Sequence, residues 1–152
     1  MLRTGEQAPD FSAEDQNGAS HRLSDLRKRG PVILYFYPAD FTPICTAEAC
    51  AFRDRFEDLD TAGVSIIGIS PQDADSHRRF ASTYNLPFPL LADPQKRIIR
   101  DYGVDGPLGF GVRRVTFLVE TDGLIRDRVV SDLFVGSHLD LIRKTLEQRR
   151  AP

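Results

Sequence analysis

The run Val32-Ile33-Leu34-Tyr35-Phe36-Tyr37, closed by Pro38, constrains this chain more than any other stretch. Six apolar or aromatic residues follow one another without alternation, so neither side of the segment suits water. Such a pattern fits a strand covered on both faces, as in the centre of an α/β sheet. A helix is expected next. Thr42 stands where an N-cap belongs, and Pro43 takes the first helical position, where a missing N–H costs nothing. Phe52, Phe56 and Leu59 then recur at helical spacing, and Gly63 stops the element.

The remaining elements are read from the same signals. Upstream, "QNGAS" reads as a turn between short strands at residues 11–14 and 19–22. Downstream, residues 64–70 form a second buried strand, 73–84 a helix with Phe80 and Tyr84 four apart, "FPLLAD" a short strand and 95–102 a short helix. Residues 115–120 and 124–130 are strands joined through "TDG", whose Asp-Gly pair signals a tight hairpin. Ser137 is positioned to cap a last helix with Leu139, Ile142 and Leu146 as its inner stripe. The order implies an α/β chain of thioredoxin-like plan: a central mixed sheet flanked by helices, with a short N-terminal β-hairpin extension. With 152 residues and no linker or repeat, a single domain over 1–152 is expected.

Charge and hydropathy exclude several functions. A formal net charge of -2, with acidic residues interspersed among clusters such as Arg27-Lys28-Arg29, argues against nucleic-acid binding. No apolar run approaches the ~20 residues of a membrane helix, and the N-terminus lacks the apolar core of a signal peptide. A cytoplasmic protein without membrane association is the expectation. His21, His77 and His138 are scattered and share no metal-ligand spacing with the cysteines, so they read as structural or surface residues and no metal is expected. "GPLGFG", residues 106–111, lacks the full G-x-G-x-x-G pattern and follows no clear strand. It reads as a mobile loop near the active site, with Phe110 as an apolar contact.

The chain has two cysteines, Cys45 and Cys50, five positions apart just after the Thr-Pro pair. Two are too few for the disulfide framework of a small secreted domain. Two inert buried side chains, half of a metal site and a redox pair are the competing readings. Placement separates Cys45 from Cys50. If Thr42 caps the helix, Cys45 lies in its first turn, where unpaired N–H groups and the positive end of the dipole favour a thiolate. It also lies just beyond the C-terminal end of the central strand, where open α/β sheets build their sites.

Pro38-Ala39-Asp40-Phe41-Thr42-Pro43-Ile44-Cys45 matches a P-x-x-x-T-x-x-C signature, and the chain thereby resembles the peroxiredoxins. The adjoining "TAEAC" is similar to their bacterioferritin comigratory protein, or peroxiredoxin Q, subfamily. "GEQAPDF", "VSIIGIS", "PFPLLADP" and "RRVTFLVETDG" extend the likeness over nearly the whole chain. The resemblance implies that Cys45 is the peroxidatic cysteine, Thr42 and Arg114 its activating partners, and Pro38 a shield over the pocket. It implies further that Cys50 resolves the oxidised Cys45 as an intramolecular disulfide, and that Glu48 orients the arginine. Hydrogen peroxide and organic hydroperoxides would be the substrates and thioredoxin or a glutaredoxin-type dithiol the reductant. No cofactor would be needed, and the protein would be a monomer or small homodimer. Ile44 departs from the glycine common at its position in the subfamily, which bears on how easily this turn unwinds. A one-cysteine peroxidase resolved by an external thiol and a peroxide-sensing module without turnover are the alternatives. A thioredoxin-type dithiol oxidoreductase is disfavoured because no C-x-x-C occurs.

Overall fold

A computed structural model describes residues 1–150. Strand β3 (Val32–Phe36) is buried at every position and sits at the centre of a five-stranded sheet. With β4 (Ser65–Ser70), β5 (Leu90–Ala92), β6 (Val115–Val119) and β7 (Ile125–Val130), the order is β5-β4-β3-β6-β7. β3 pairs in parallel with β4 and β4 with β5, whereas β6 runs antiparallel to both β3 and β7. Strands β1 (Ser12–Glu14) and β2 (Ser20–Arg22) form a separate antiparallel pair.

Alternate residues of β3 feed opposite cores, as the period of a strand requires. Ile33 and Tyr35 join Cys45, Phe52, Leu59, Phe80 and Leu141 on one face. Val32, Leu34 and Phe36 join Phe11, Leu23, Ile99 and Tyr102 on the other. The first face is covered by α2 (Pro43–Asp54), α3 (Phe56–Thr61), α4 (Ala74–Tyr84) and α6 (Val135–Arg150), the second by α1 (Leu23–Leu26), α5 (Arg97–Asp101) and the N-terminal segment. The doubly covered strand and the mixed, helix-flanked sheet are those expected of the thioredoxin-like plan.

The boundaries differ from expectation in four places. The helix expected through Phe56 to Gly63 is two helices, broken at Arg55 (φ -104°, ψ 0°), whose N–H turns back to the Phe52 carbonyl. Neither glycine nor proline marks that break. Helix α1 was not expected; its Ser24 N–H is satisfied by Asp10 Oδ1 at 2.9 Å, a partner fourteen residues upstream. The last helix begins at Val135, ahead of Ser137, and it is Ser131 whose hydroxyl accepts a main-chain N–H, that of Phe134, before the first turn. Thr42 occupies the N-cap of α2 in extended conformation but makes no side-chain cap: its hydroxyl donates to the Ala39 carbonyl at 3.0 Å. By contrast Asp73 caps α4 in the ordinary way, accepting from Ser76 N at 2.9 Å. Among the described residues, no helix is long and apolar enough to cross a membrane.

Candidate active site

The site grows out of the end of β3. The strand stops at Phe36, residues 37–42 turn across the edge of the sheet, and α2 starts at Pro43. Cys45 falls in the first turn of α2 and is 1% exposed. The first helical bond, from Thr46 N to the Thr42 carbonyl at 2.8 Å, leaves the earlier amide groups of this turn without helical partners. The dipole end and those N–H groups therefore act on the sulfur from one side.

Arg114 acts from the other. The antiparallel register of β6 against β3 sets Val115 opposite Phe36, so the residue just before β6 arrives where β3 ends. Arg114 is 7% exposed, and its Nη1 donates to Cys45 Sγ at 2.8 Å. Arg113 points the opposite way, as successive residues of extended chain do, and forms an exposed pair with Asp132 at 2.8 Å. Asp132 governs both. Its carbonyl accepts from Arg114 Nε at 2.9 Å and its Oδ1 from Arg114 N at 3.1 Å. The hydrogen bond from Arg113 is the main influence holding the Asp132 carboxyl below its ordinary value.

Glu48 lies one turn after Cys45 on the same helical face and is fully buried. Its Oε1 is 3.8 Å from Arg114 Nη1 and its Oε2 3.7 Å from His138 Nε2, yet neither oxygen has a hydrogen-bond partner among the described residues. Burial pushes its carboxyl up to about 8, against the lowering influence of Arg114. At neutral pH it is a neutral acid, so the guanidinium charge is directed at the sulfur. The hydrogen bonds that orient the arginine come from Asp132, not from Glu48.

His138 is buried as well. Its Nε2 donates to the Ser131 carbonyl at 2.9 Å, and its Nδ1 lies 2.7 Å from Thr116 Oγ1. Desolvation holds its pKa below the ordinary value, which agrees with a neutral ring accepting the threonine proton. The ring thus ties α6 to β6 and to the turn that carries Asp132. His77 is fully buried and His21 partly so, each paired with an aspartate. None of the three belongs to a metal cluster among the described residues.

Cys50 lies on the same helix, half-buried, and both thiols are free. α2 is continuous through both cysteines. On a regular helix their Cα atoms are about 8.7 Å apart, beyond the ~7 Å a disulfide spans. Pro38 and Thr42 are half-buried in the turn that leads into α2, and Phe110 is 77% exposed on the turn at 106–111. Pro38, Thr42, Cys45 and Glu48 thus share one turn and one helix, and Arg114, just ahead of β6, reaches Cys45 and lies 3.8 Å from Glu48. Asp132 and the Thr116–His138 pair belong to the site's support and had no local signature.

Comparisons with known proteins agree with one another. A model of the AhpC/TSA family matches residues 4–128. The chain is 43% identical to the chloroplastic peroxiredoxin Q of Arabidopsis thaliana over 148 residues, 96% of this chain and 68% of that one. It spans 56–68% of the lengths of the plant relatives it matches. The crystal structure of the peroxidoxin BcpB of Mycobacterium tuberculosis superposes with a TM-score of 0.91 at 38% identity, covering 99% of this chain and 100% of that one. A bacterioferritin comigratory protein of Xanthomonas campestris, described for its alkyl peroxide reduction activity, superposes at 0.82 with 26% identity, covering 91% and 90%.

Proposed function

Because the chain belongs to the peroxiredoxins of the AhpC/TSA family, in their peroxiredoxin Q group, we propose that it reduces hydrogen peroxide and organic hydroperoxides with Cys45 as the attacking thiolate. The observation that carries the assignment is the guanidinium of Arg114 on a buried Cys45 sulfur, 2.8 Å away, at the start of a helix. The thiolate attacks the terminal oxygen of the peroxide. The O–O bond breaks, Cys45 becomes a sulfenic acid, and the departing hydroxide or alkoxide takes a proton to leave as water or alcohol. Arg114 and the main-chain N–H groups of the first turn stabilise charge as it moves from sulfur to oxygen. Thr42, its hydroxyl proton directed to Ala39, can accept from the peroxide proton and so orient it.

Cys50 then condenses with the sulfenic acid, releasing water and forming an internal disulfide. A dithiol of the thioredoxin or glutaredoxin type reduces that bond and restores both thiols. Such recycling needs a reducing compartment, and we place it in the cytoplasm, although the Arabidopsis relative is chloroplastic. The activity requires one chain, whether as monomer or in a small homodimer, since both thiols lie on α2.

Substitution of each cysteine tests the assignment. Cys45→Ser should abolish peroxide consumption. Cys50→Ser should react once per chain and then stall as sulfenic or overoxidised protein. Normal turnover by Cys45→Ser would disprove the nucleophile. Normal turnover by Cys50→Ser with a small external thiol would replace the internal disulfide by a one-cysteine cycle.

A further inference from the structure

A second buried polar network lies on the far side of the turn that carries Thr42, and the chemistry above does not use it. Asp40 is its centre. The Asp40 carboxylate accepts from Tyr37 Oη at 2.6 Å on one oxygen, and on the other from Ser76 Oγ at 2.8 Å and from His77 Nδ1 at 2.7 Å. Its main-chain N–H is held by Gln72 Oε1 at 2.8 Å. The second ring nitrogen of His77 faces the Leu91 carbonyl on β5 at 3.1 Å. The side chains of Asp40 and His77 are both wholly buried.

Three features give the network a purpose beyond packing. The next residue, Phe41, is left-handed at φ 65°, a conformation disfavoured for any side chain with a Cβ, and its half-exposed ring packs edge-on against Phe80, centroids 5.2 Å apart, and beside Tyr84, both on α4. Asp40, fixed through its main chain to Gln72 and through its side chain to the same helix, holds the bend together with those ring contacts. The bend so made delivers Thr42 in extended form to the N-cap of α2 and thereby sets the direction in which the helix leaves. Finally, every partner of Asp40 lies in the 37–42 turn, the loop after β4, or α4. None lies in α2. A helix that melts from residue 43 onward would leave this network whole.

We propose that Asp40, clamped by His77, is a positioning residue: a fixed post that ends the unwinding of α2 at Thr42 and restores the Thr42–Cys45 turn against Arg114 after each reduction. The role rests on the peroxidase reading, in which α2 must open and close. Loss of the clamp should misplace the peroxide-orienting groups while changing much less the reaction of the sulfur with a reagent that needs no oriented oxygen and the reduction of the Cys45–Cys50 disulfide.

Asp40→Asn in the full chain tests this, because the amide keeps the size of the carboxylate but loses its charge and one acceptor. The rate of Cys45 oxidation by hydrogen peroxide should fall at least about tenfold, as a small misplacement of reacting groups does. Alkylation of Cys45 by iodoacetamide, which needs no oriented oxygen, should change much less. In amide exchange, residues 39–42 of the unsubstituted protein should be equally protected reduced and oxidised, and in oxidised Asp40→Asn they should exchange faster. Equal slowing of peroxide and iodoacetamide would overturn the positioning role, as would an unchanged peroxide rate. Should Asp40→Asn not fold, Ser76→Ala removes the hydroxyl that donates to Asp40 Oδ2 and lies 3.2 Å from Gln72 Oε1, and should show the same peroxide-selective slowing in smaller measure; its absence overturns the proposal. A wild-type protein inert to peroxide would sink the peroxidase reading alone. The exchange comparison, on protein oxidised with diamide, would still decide the post: protection at 39–42 lost together with that of 43–50 refutes it.

Discussion

On the proposed reading Arg114 carries two separable tasks, holding negative charge on sulfur and placing the peroxide oxygens, and its hydrogen bonds suit both. Asp132 fixes the guanidinium through Nε and the main chain, leaving Nη1 for Cys45. Arg114→Met should therefore slow attack on peroxide by orders of magnitude and attack on iodoacetamide less, a comparison read by stopped-flow kinetics with both reagents. Equal slowing would reduce the residue to an electrostatic role. Glu48 provides a test of a different kind. Its carboxyl keeps a proton to about pH 8 when folded, against 4.5 as the ordinary value. Between those values the folded state binds more protons than the unfolded one, so stability falls as pH rises from about 4.5 to about 8 and is level outside that window. Glu48→Gln should remove this slope, worth on the order of a few kcal/mol across the window. Thermal melts of both proteins at pH 5 and pH 8.5 read it as a smaller loss of Tm in the variant. Identical losses would mean that the carboxyl does not stay protonated when buried.

At the scale of the element, the proposed internal disulfide requires α2 to open. Tyr35 Oη and both oxygens of Glu48 are buried at or beneath it without hydrogen-bond partners among the described residues, a cost incurred only while the helix is docked. Of the three alanines expected to pack weakly, Ala47 is exposed and Ala51 half-buried, but Ala49 is buried in the core, so the middle of the helix is held on its inner face by one methyl group and by Glu48. Phe52 is the opposite case: fully buried, with its ring centroid 4.7 Å from that of Tyr35, it anchors the C-terminal end. Oxidation should raise amide exchange from residues 43 to 50 and lower far-UV helicity slightly, with the last turn of α2 from Phe52 to Asp54 retained. Equal protection in both redox states, in protein whose disulfide is shown by mass, would mean the switch does not exist. Much of this element was legible in the sequence. Thr42 and Pro43 mark its start and Phe52 its inner face, because these are local signals. Its end at Arg55 was not, since no residue there forbids helix. Nor was the bond of the Thr42 hydroxyl to Ala39, which competes with capping and depends on the bend that Asp40 helps to hold.

For the molecule as a whole, the proposed cycle needs a fixed sheet and one movable helix. β3 and β6 bring Cys45 and Arg114 together from 69 positions apart, through a register that local patterns do not encode. The apolar run 32–37 made the doubly covered sheet readable, and the P-x-x-x-T-x-x-C spacing made Cys45 readable. The burial of Glu48, Asp40, His77 and His138 was not readable, because a polar residue looks exposed until its partners from distant elements are known. Those partners tie the scaffold around α2 by hydrogen bonds, whereas α2 is held mainly by the burial of Cys45, Glu48, Ala49 and Phe52 and by the Arg114–Cys45 contact. The most direct test of this account is the intact mass of the reduced protein after one equivalent of hydrogen peroxide. Loss of two hydrogens per chain, with both thiols no longer alkylated, is the expected result, because Cys45 is oxidised and Cys50 closes the disulfide. An unchanged mass with both thiols still free would contradict it.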